Sequence, residues 1–156
     1  MLPTIQSALI EVQSSANNLD THKRRETPLF TRSVSILIVD SNKDQAEMFA
    51  TLLNIYGHDV VYVSTGSDAL TMSRQRIFEV IYICSSSTNI APFELVAKLK
   101  ALRHLARTFF VALSGHAGLS YRTSALNVGF HYVVVKPAGI GDLCAPVIDK
   151  STSLYK

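Results

Sequence analysis

A chain of 156 residues, 47% hydrophobic and 17% charged, holds enough apolar material for one domain with a sizeable core plus an appendage, which excludes a disordered polymer. Its net charge of +3 is mildly basic; apart from Lys23, Arg24 and Arg25 the cations are scattered, with no aromatics between them, so direct nucleic-acid binding is not indicated. Two cysteines, Cys84 and Cys144, form neither a zinc spacing nor a disulfide framework, and no segment approaches roughly 18 apolar residues, so the expected setting is a reducing cytoplasm and not export or a membrane.

Residues 1–33 differ from the rest of the chain and read as an extension or linker. Ile5, Leu9, Val12, Ala16 and Leu19 recur at helical spacing, so residues 3–21 fit an amphipathic helix. Such a helix would dimerise or dock; the interruptions at Ser14, Ser15, Asn17 and Asn18 favour a frayed extension instead. The basic triplet before Pro28 reads as a solvated linker.

From residue 34 the pattern becomes regular. Residues 34–39 are a hydrophobic strand ending in Asp40, Ser41 and Asn42. A helix capped by Ser41 or Asn42 carries Ala46, Phe49, Ala50, Leu53 and Tyr56 on one face and stops at Gly57. Residues 58–63 form a second strand, and Thr65 leads into a helix bearing Ala69, Leu70 and Met72. The third strand, residues 78–84, is a continuous apolar run of the kind buried in the middle of a parallel sheet, followed by a loop of hydroxyl and amide side chains from Ser85 to Asn89. Residues 93–105 read as a helix, 109–113 as a fourth strand ending at Ser114, 121–128 as a helix closed by Gly129, 133–135 as a fifth strand ending in Lys136 and Pro137, and 141–150 as a last helix.

Five strands alternating with helices, each strand too apolar for an exposed sheet face, predict a three-layer α/β sandwich over residues 34–150 with a short tail at 151–156. Right-handed crossovers and this size point to a flavodoxin-like five-stranded parallel sheet of order 2-1-3-4-5. That order gathers Asp40, Ser41, Cys84, Ser114 and Lys136 around one crevice at the carboxyl ends of the strands, where ligands bind in open α/β sheets.

The residues at those tips carry a family likeness. The run 36–44 with Asp40, the Gly57–His58–Asp59 turn, Thr65–Gly66–Ser67 before Ala69, and Gly129 with Lys136–Pro137 stand in the order and spacing of the receiver domain of two-component response regulators, which residues 34–150 resemble. The resemblance implies phosphoryl transfer from a kinase histidine to an aspartate at the end of the third strand. An acidic pair after the first strand helps hold Mg²⁺, a lysine after the fifth neutralises charge, and a hydroxyl after the fourth bonds a phosphoryl oxygen. An aromatic on the fifth strand reads the state out.

Carried over residue by residue, Asp40 matches the first acid, Ser114 the hydroxyl and Lys136 the lysine. Cys84 falls at the acceptor position, with Glu79 five residues before it; Ser41 replaces the second acid, Ser87 and Thr88 replace a Met-Pro pair, and Pro92 stands at a usual glycine. Val133 occupies the switch position, with Tyr132 pointing the other way. Two of three carboxylates are missing, so Mg²⁺ binding is in doubt, no cofactor is expected, and Asp40 would balance Lys136 as an ion pair. A thiol cannot form the acyl phosphate.

The expectation is therefore a degenerate pseudo-receiver: no enzyme, but a phosphorylation-independent module of phosphorelay signalling. Its partner would be a histidine kinase, another response regulator or a second copy, met on the face of the fourth helix, fifth strand and fifth helix near Arg122, Tyr132, Val133 and Leu143. A second reading is a sensor of a phosphate-bearing or nucleotide ligand, although the scattered arginines do not by themselves assemble such a site. The third is thiol redox chemistry at Cys84, activated by a lysine but opposed by Asp40, against an inert core cysteine. His116 and His131 read as surface residues, and Ser85 or Ser86 as conceivable unconventional phosphosites. With no DNA-binding unit after residue 156, direct transcriptional output is not expected.

Overall fold

The structure, a computed structural model, describes residues 32–85, 89–115, 118–136 and 139–152. The expected helix at 3–21, the basic triplet, Ser86 to Thr88, His116 and Pro137 lie outside the described residues, as does the expected tail at 151–156 except for Ser151 and Thr152, which belong to the last helix. Five parallel strands, β1 (Ser35–Val39), β2 (Asp59–Val63), β3 (Val80–Cys84), β4 (Phe109–Ser114) and β5 (Tyr132–Val135), pair in the order β2-β1-β3-β4-β5. All five residues of β3 are buried, whereas the edge strand β2 has none in that class, as a central and an outer strand of one sheet should differ.

The connecting helices are α1 (Lys43–Ile55), α2 (Gly66–Gln75), α3 (Pro92–Lys100), α4 (Leu119–Val128) and α5 (Ile140–Thr152). Asn42 Oδ1 accepts the Gln45 N–H at 3.1 Å and Thr65 Oγ1 accepts the Asp68 N–H at 3.1 Å, so both helices start where a side-chain oxygen meets an orphan amide. Gly57 and Gly129, at φ +90° and +125°, close α1 and α4 in backbone conformations that other residues rarely adopt.

Alternation along the strands divides the core. One side sets Ile36, Ile38, Tyr82, Cys84 and Leu113 against α1 and α5; the other sets Leu37, Val39, Ile81, Ile83 and Ala112 against α2, α3 and α4. Tyr82 lies wholly inside the first side, its hydroxyl donating to the Leu143 carbonyl of α5. Burial raises its pKa well above that of free tyrosine, so this donor stays protonated.

The helix expected over 93–105 is two elements. α3 ends at Lys100, and a 3-10 turn follows at Arg103–Leu105. Leu102 adopts extended backbone (φ −79°, ψ 113°), which breaks the helical path and seats Leu105 in the core at 1% exposure. A straight continuation of α3 would follow helical periodicity, but burying Leu105 wins.

Candidate functional site at the carboxyl ends of the strands

Each sheet position delivers one side chain to the crevice. Asp40 leaves β1 fully buried; its N–H donates to the Val63 carbonyl at 3.0 Å and its Oδ1 accepts the Asn42 N–H at 2.9 Å. The carboxylate thus braces the turn that starts α1, while Ser41 beside it is half-buried. Cys84 and Ser114 are the last residues of β3 and β4, both at 0% exposure. Lys136 follows β5, its N–H donating to the Ser114 carbonyl at 2.7 Å.

Among the described residues, the Lys136 ammonium donates to Cys84 Sγ at 2.7 Å and to Gln45 Oε1 at 3.1 Å. The sequence suggested Asp40 as its counterpart; these two bonds go to a thiol and an amide. Gln45 escaped sequence reasoning. Its signal was its place three residues after the Asn42 cap, in the first turn of α1, where a long side chain can lean back over the strand tips. The structure therefore brings Cys84, Lys136 and Gln45 into direct contact and places Asp40 and Ser114 on the flanking tips of the same sheet edge.

At the far side of the crevice, Asn89 ties the loop after β3 to α2. Its Oδ1 accepts the Gly66 N–H at 2.9 Å and its Nδ2 donates to Ser67 Oγ at 2.8 Å. Among the described residues, no group of three or more His, Cys, Asp or Glu side chains converges as metal ligands would.

The strand β5 alternates as expected. Val133 pairs in register with Ala112 and packs on the α2–α4 side, whereas Tyr132 packs on the α1–α5 side, its hydroxyl donating to Asp149. Burial, then the Asp149 carboxylate, push the Tyr132 pKa up to about 12. Leu143 departs from the expectation: it is 4% exposed and points into the core beside Tyr82, so it belongs to no external face. A groove of about 340 Å³ does open beside β5, lined by Arg122 of α4, Tyr132 and Val133, and Asp142, Ala145 and Pro146 of α5. His131 is exposed, as the sequence suggested, and it also makes a backbone contact. Its Nδ1 accepts the Phe110 N–H at 3.0 Å, and partial desolvation of the ring against the sheet, followed by the Lys100 and Lys150 charges, lowers its pKa.

A family model described as "Response regulator receiver domain" matches residues 36–148. The chain is 25% identical over 114 residues to the transcriptional regulatory protein ZraR of Escherichia coli O157:H7, across 72% of this chain and 25% of that protein. It thus spans about a quarter of that relative's length. Among solved structures, the chemotaxis response regulator CheY4 of Vibrio cholerae matches with a TM-score of 0.72 at 20% identity, covering 76% of this chain and 99% of that one. A response regulator receiver domain from Methylobacillus flagellatus matches with a TM-score of 0.67 at 28% identity, covering 77% and 99%. A Burkholderia pseudomallei response regulator, solved with a phosphorylated aspartic acid, calcium ion and citrate, matches with a TM-score of 0.65 at 24% identity over 70% and 64%.

Proposed function

Because this chain belongs to the response regulator receiver domain family, we propose that it is a pseudo-receiver of two-component signalling, which takes up no phosphoryl group and works by binding a protein partner. The observation that carries this reading is the buried Cys84 thiol at the tip of β3, capped by the Lys136 ammonium at 2.7 Å. Cys84 stands in the acceptor's position, and a thiol offers no carboxylate for an acyl phosphate. The lysine that would steady an incoming phosphoryl group is engaged by that thiol and by Gln45.

The crevice residues do not fit Mg²⁺. The ion demands an octahedron of hard oxygens. Here Asp40 is braced by Asn42, and its neighbours are a hydroxyl at Ser41, a soft sulfur and an ammonium. At the readout position Val133 has no ring to swing between states. Loss at acceptor, metal and switch together favours a domain with no catalytic step and no cofactor. Thiol redox chemistry is disfavoured by the same burial, since attack requires an accessible sulfur.

The partner surface is the face of α4, β5 and α5. Leu119, Arg122 and Leu126 follow helical spacing down one stripe of α4, with Leu119 at 79% and Leu126 at 47% exposure, and Arg122 runs from that stripe into the groove beside β5. Two exposed leucines flanking a groove floored by valines make an apolar centre with a charged rim, the layout of a protein contact. Partners of the same signalling systems, a histidine kinase, another response regulator or a second copy of this chain, are the candidates.

Intact-mass measurement after incubation with Mg²⁺ and acetyl phosphate tests the first half. The expected product is unmodified protein; a stoichiometric phosphoryl adduct overturns the reading, and peptide mapping would then locate it. Pairwise assays with candidate kinases and regulators test the second half, where Leu119→Glu with Leu126→Glu should abolish binding that wild-type protein shows.

A further inference from the structure

At the other end of the sheet, beneath the amino ends of β3 and β4, lies a cavity of about 570 Å³ whose charged lining is Arg32, Glu79, Arg103, Arg107 and Lys150, with His104 in its wall. Its volume falls within the range of small-molecule sites. The arginines look scattered in sequence; the 3-10 turn after α3 and the stretch behind it carry Arg103 and Arg107, the approach to β1 carries Arg32, and the last turn of α5 adds Lys150 to the same cavity. We infer that this cavity binds a small, multiply charged phosphate-bearing anion through Arg103, Arg107 and Lys150.

The lining charges do not cancel. Three arginines and one lysine face one carboxylate, Glu79, and that group is already engaged: Arg32 lies 2.6 Å from Oε1, and the Ser35 N–H donates to Oε2 at 2.9 Å. Among the described residues, no ion pair uses Arg103, Arg107 or Lys150. His104 is tied to the Ser73 carbonyl and serves as wall.

Lys150 is held where an anion could use it. It is only 8% exposed, its Nζ donates to the Arg107 carbonyl, and the ammonium sits 4.5 Å from the Phe109 ring centroid. Burial lowers its pKa most, and the Arg32 and Arg107 charges lower it further against the pull of Glu79. A partly desolvated lysine among like charges is one that an entering anion relieves. Arg103 and Arg107 are exposed, so their guanidinium forks are free to close on phosphate oxygens, a geometry that two planar forks and one ammonium satisfy well. A surface cluster solvated on all sides would have no such enclosed lysine.

The site is separate from the crevice, because a strand of five residues sets its two ends roughly 16 Å apart. Binding here therefore neither needs nor blocks the Lys136 pocket, and it stands or falls independently of the pseudo-receiver reading.

The test is a titration of the full chain with inorganic pyrophosphate, followed by backbone amide shifts. Saturable shifts centred on residues 103–108 and 150 are expected. Arg103→Glu with Arg107→Glu should weaken affinity by about tenfold or more, whereas Arg74→Glu, an exposed cation elsewhere, should change it less than about twofold. Lys136→Ala should leave binding intact. Thermal melts of each variant establish that it is folded, and Arg103→Lys with Arg107→Lys, which keeps the charge and loses the forks, should weaken binding by an intermediate factor. The inference is overturned by shifts that do not saturate, by shifts that centre on Lys136 and Cys84, or by equal losses from Arg74→Glu and the arginine pair.

Discussion

At the carboxyl ends of the strands the Lys136 ammonium is bonded to a thiol and an amide, both close at hand. At the amino ends, Arg103, Arg107 and Lys150 line one cavity with a carboxylate already bound to Arg32. The backbone explains part of the contrast. In a parallel α/β fold the helix N-termini lie over the carboxyl ends of the strands and favour acids, as Asp44 in the first turn of α1 does. Helix C-termini lie at the other end and favour cations, which accounts for Lys150 in the last turn of α5. It does not account for Arg103 and Arg107, which sit beyond the last turn of α3. At the end where this fold usually carries chemistry the lysine is thus held by its neighbours, whereas at the opposite end, among the described residues, Arg103, Arg107 and Lys150 enter no ion pair.

The largest effect should come from the residue that joins the two ends. Tyr82 anchors α5, and α5 runs from Ile140 at the crevice end past Lys150 in the cavity to Thr152. Tyr82→Ala should cost about 3–5 kcal/mol in urea unfolding, from the lost ring and the cavity left behind. A cost below about 1 kcal/mol would mean that α5 is held by other contacts.

A smaller change should separate the ends. Glu79→Ala removes the carboxylate of the cationic cavity and leaves the crevice untouched. It should cost about 1–2 kcal/mol, since the pair is partly exposed and the Ser35 N–H loses an acceptor, while pyrophosphate should bind more tightly. Weaker pyrophosphate binding in this variant would show that Glu79 organises the site instead of opposing it.

The smallest effect concerns pH. His58, 4% exposed, accepts the Val34 N–H on Nδ1 at 3.1 Å, as His131 accepts that of Phe110, so both rings must stay neutral. Burial lowers the His58 pKa against the pull of Glu79, and burial with Lys100 and Lys150 lowers that of His131. Below the unfolded value of about 6.5 the unfolded chain binds more protons than the native one, so stability present at neutral pH is lost on acidification, by at most about 1.4 kcal/mol per pH unit for the buried His58 and by less for the exposed His131, whose ring solvent screens. Urea midpoints at pH 7.5 and 5.5 should fall in that direction, and His58→Asn should flatten the slope. A midpoint that rises on acidification would sink the assignment of both rings as acceptors.

Much of this was legible before the structure. Apolar runs bounded by turn residues, a cap at Ser41 or Asn42, the lead-in at Thr65, and the glycines at 57 and 129 identify elements because each depends on neighbours within a few residues; the structure then chose Asn42 and made Thr65 a cap. The strand order followed from topology rules, and with it the placing of Asp40, Cys84, Ser114 and Lys136 at one edge. The break after Lys100 was not legible, because helical periodicity continues through a residue that the core then claims. Leu143 was misplaced for a related reason: its position in a helix says which stripe it shares but not which way that stripe turns.

The sequence by itself determined the alternation of strands and helices, the family likeness and the presence of a hydroxyl at Ser41 and a thiol at Cys84 beyond the first and third apolar runs, since composition and short-range pattern carry all three. Only the tertiary structure decided the partners of Lys136, the inward turn of Leu143 and the cavity at the base. Those depend on side chains from residues 91 and 52 positions apart in the first case, and up to 118 apart between Arg32 and Lys150 in the last. Charge repulsion, burial and hydrogen bonding act through space, and a linear pattern holds no record of which distant residues the packed helices will bring within reach.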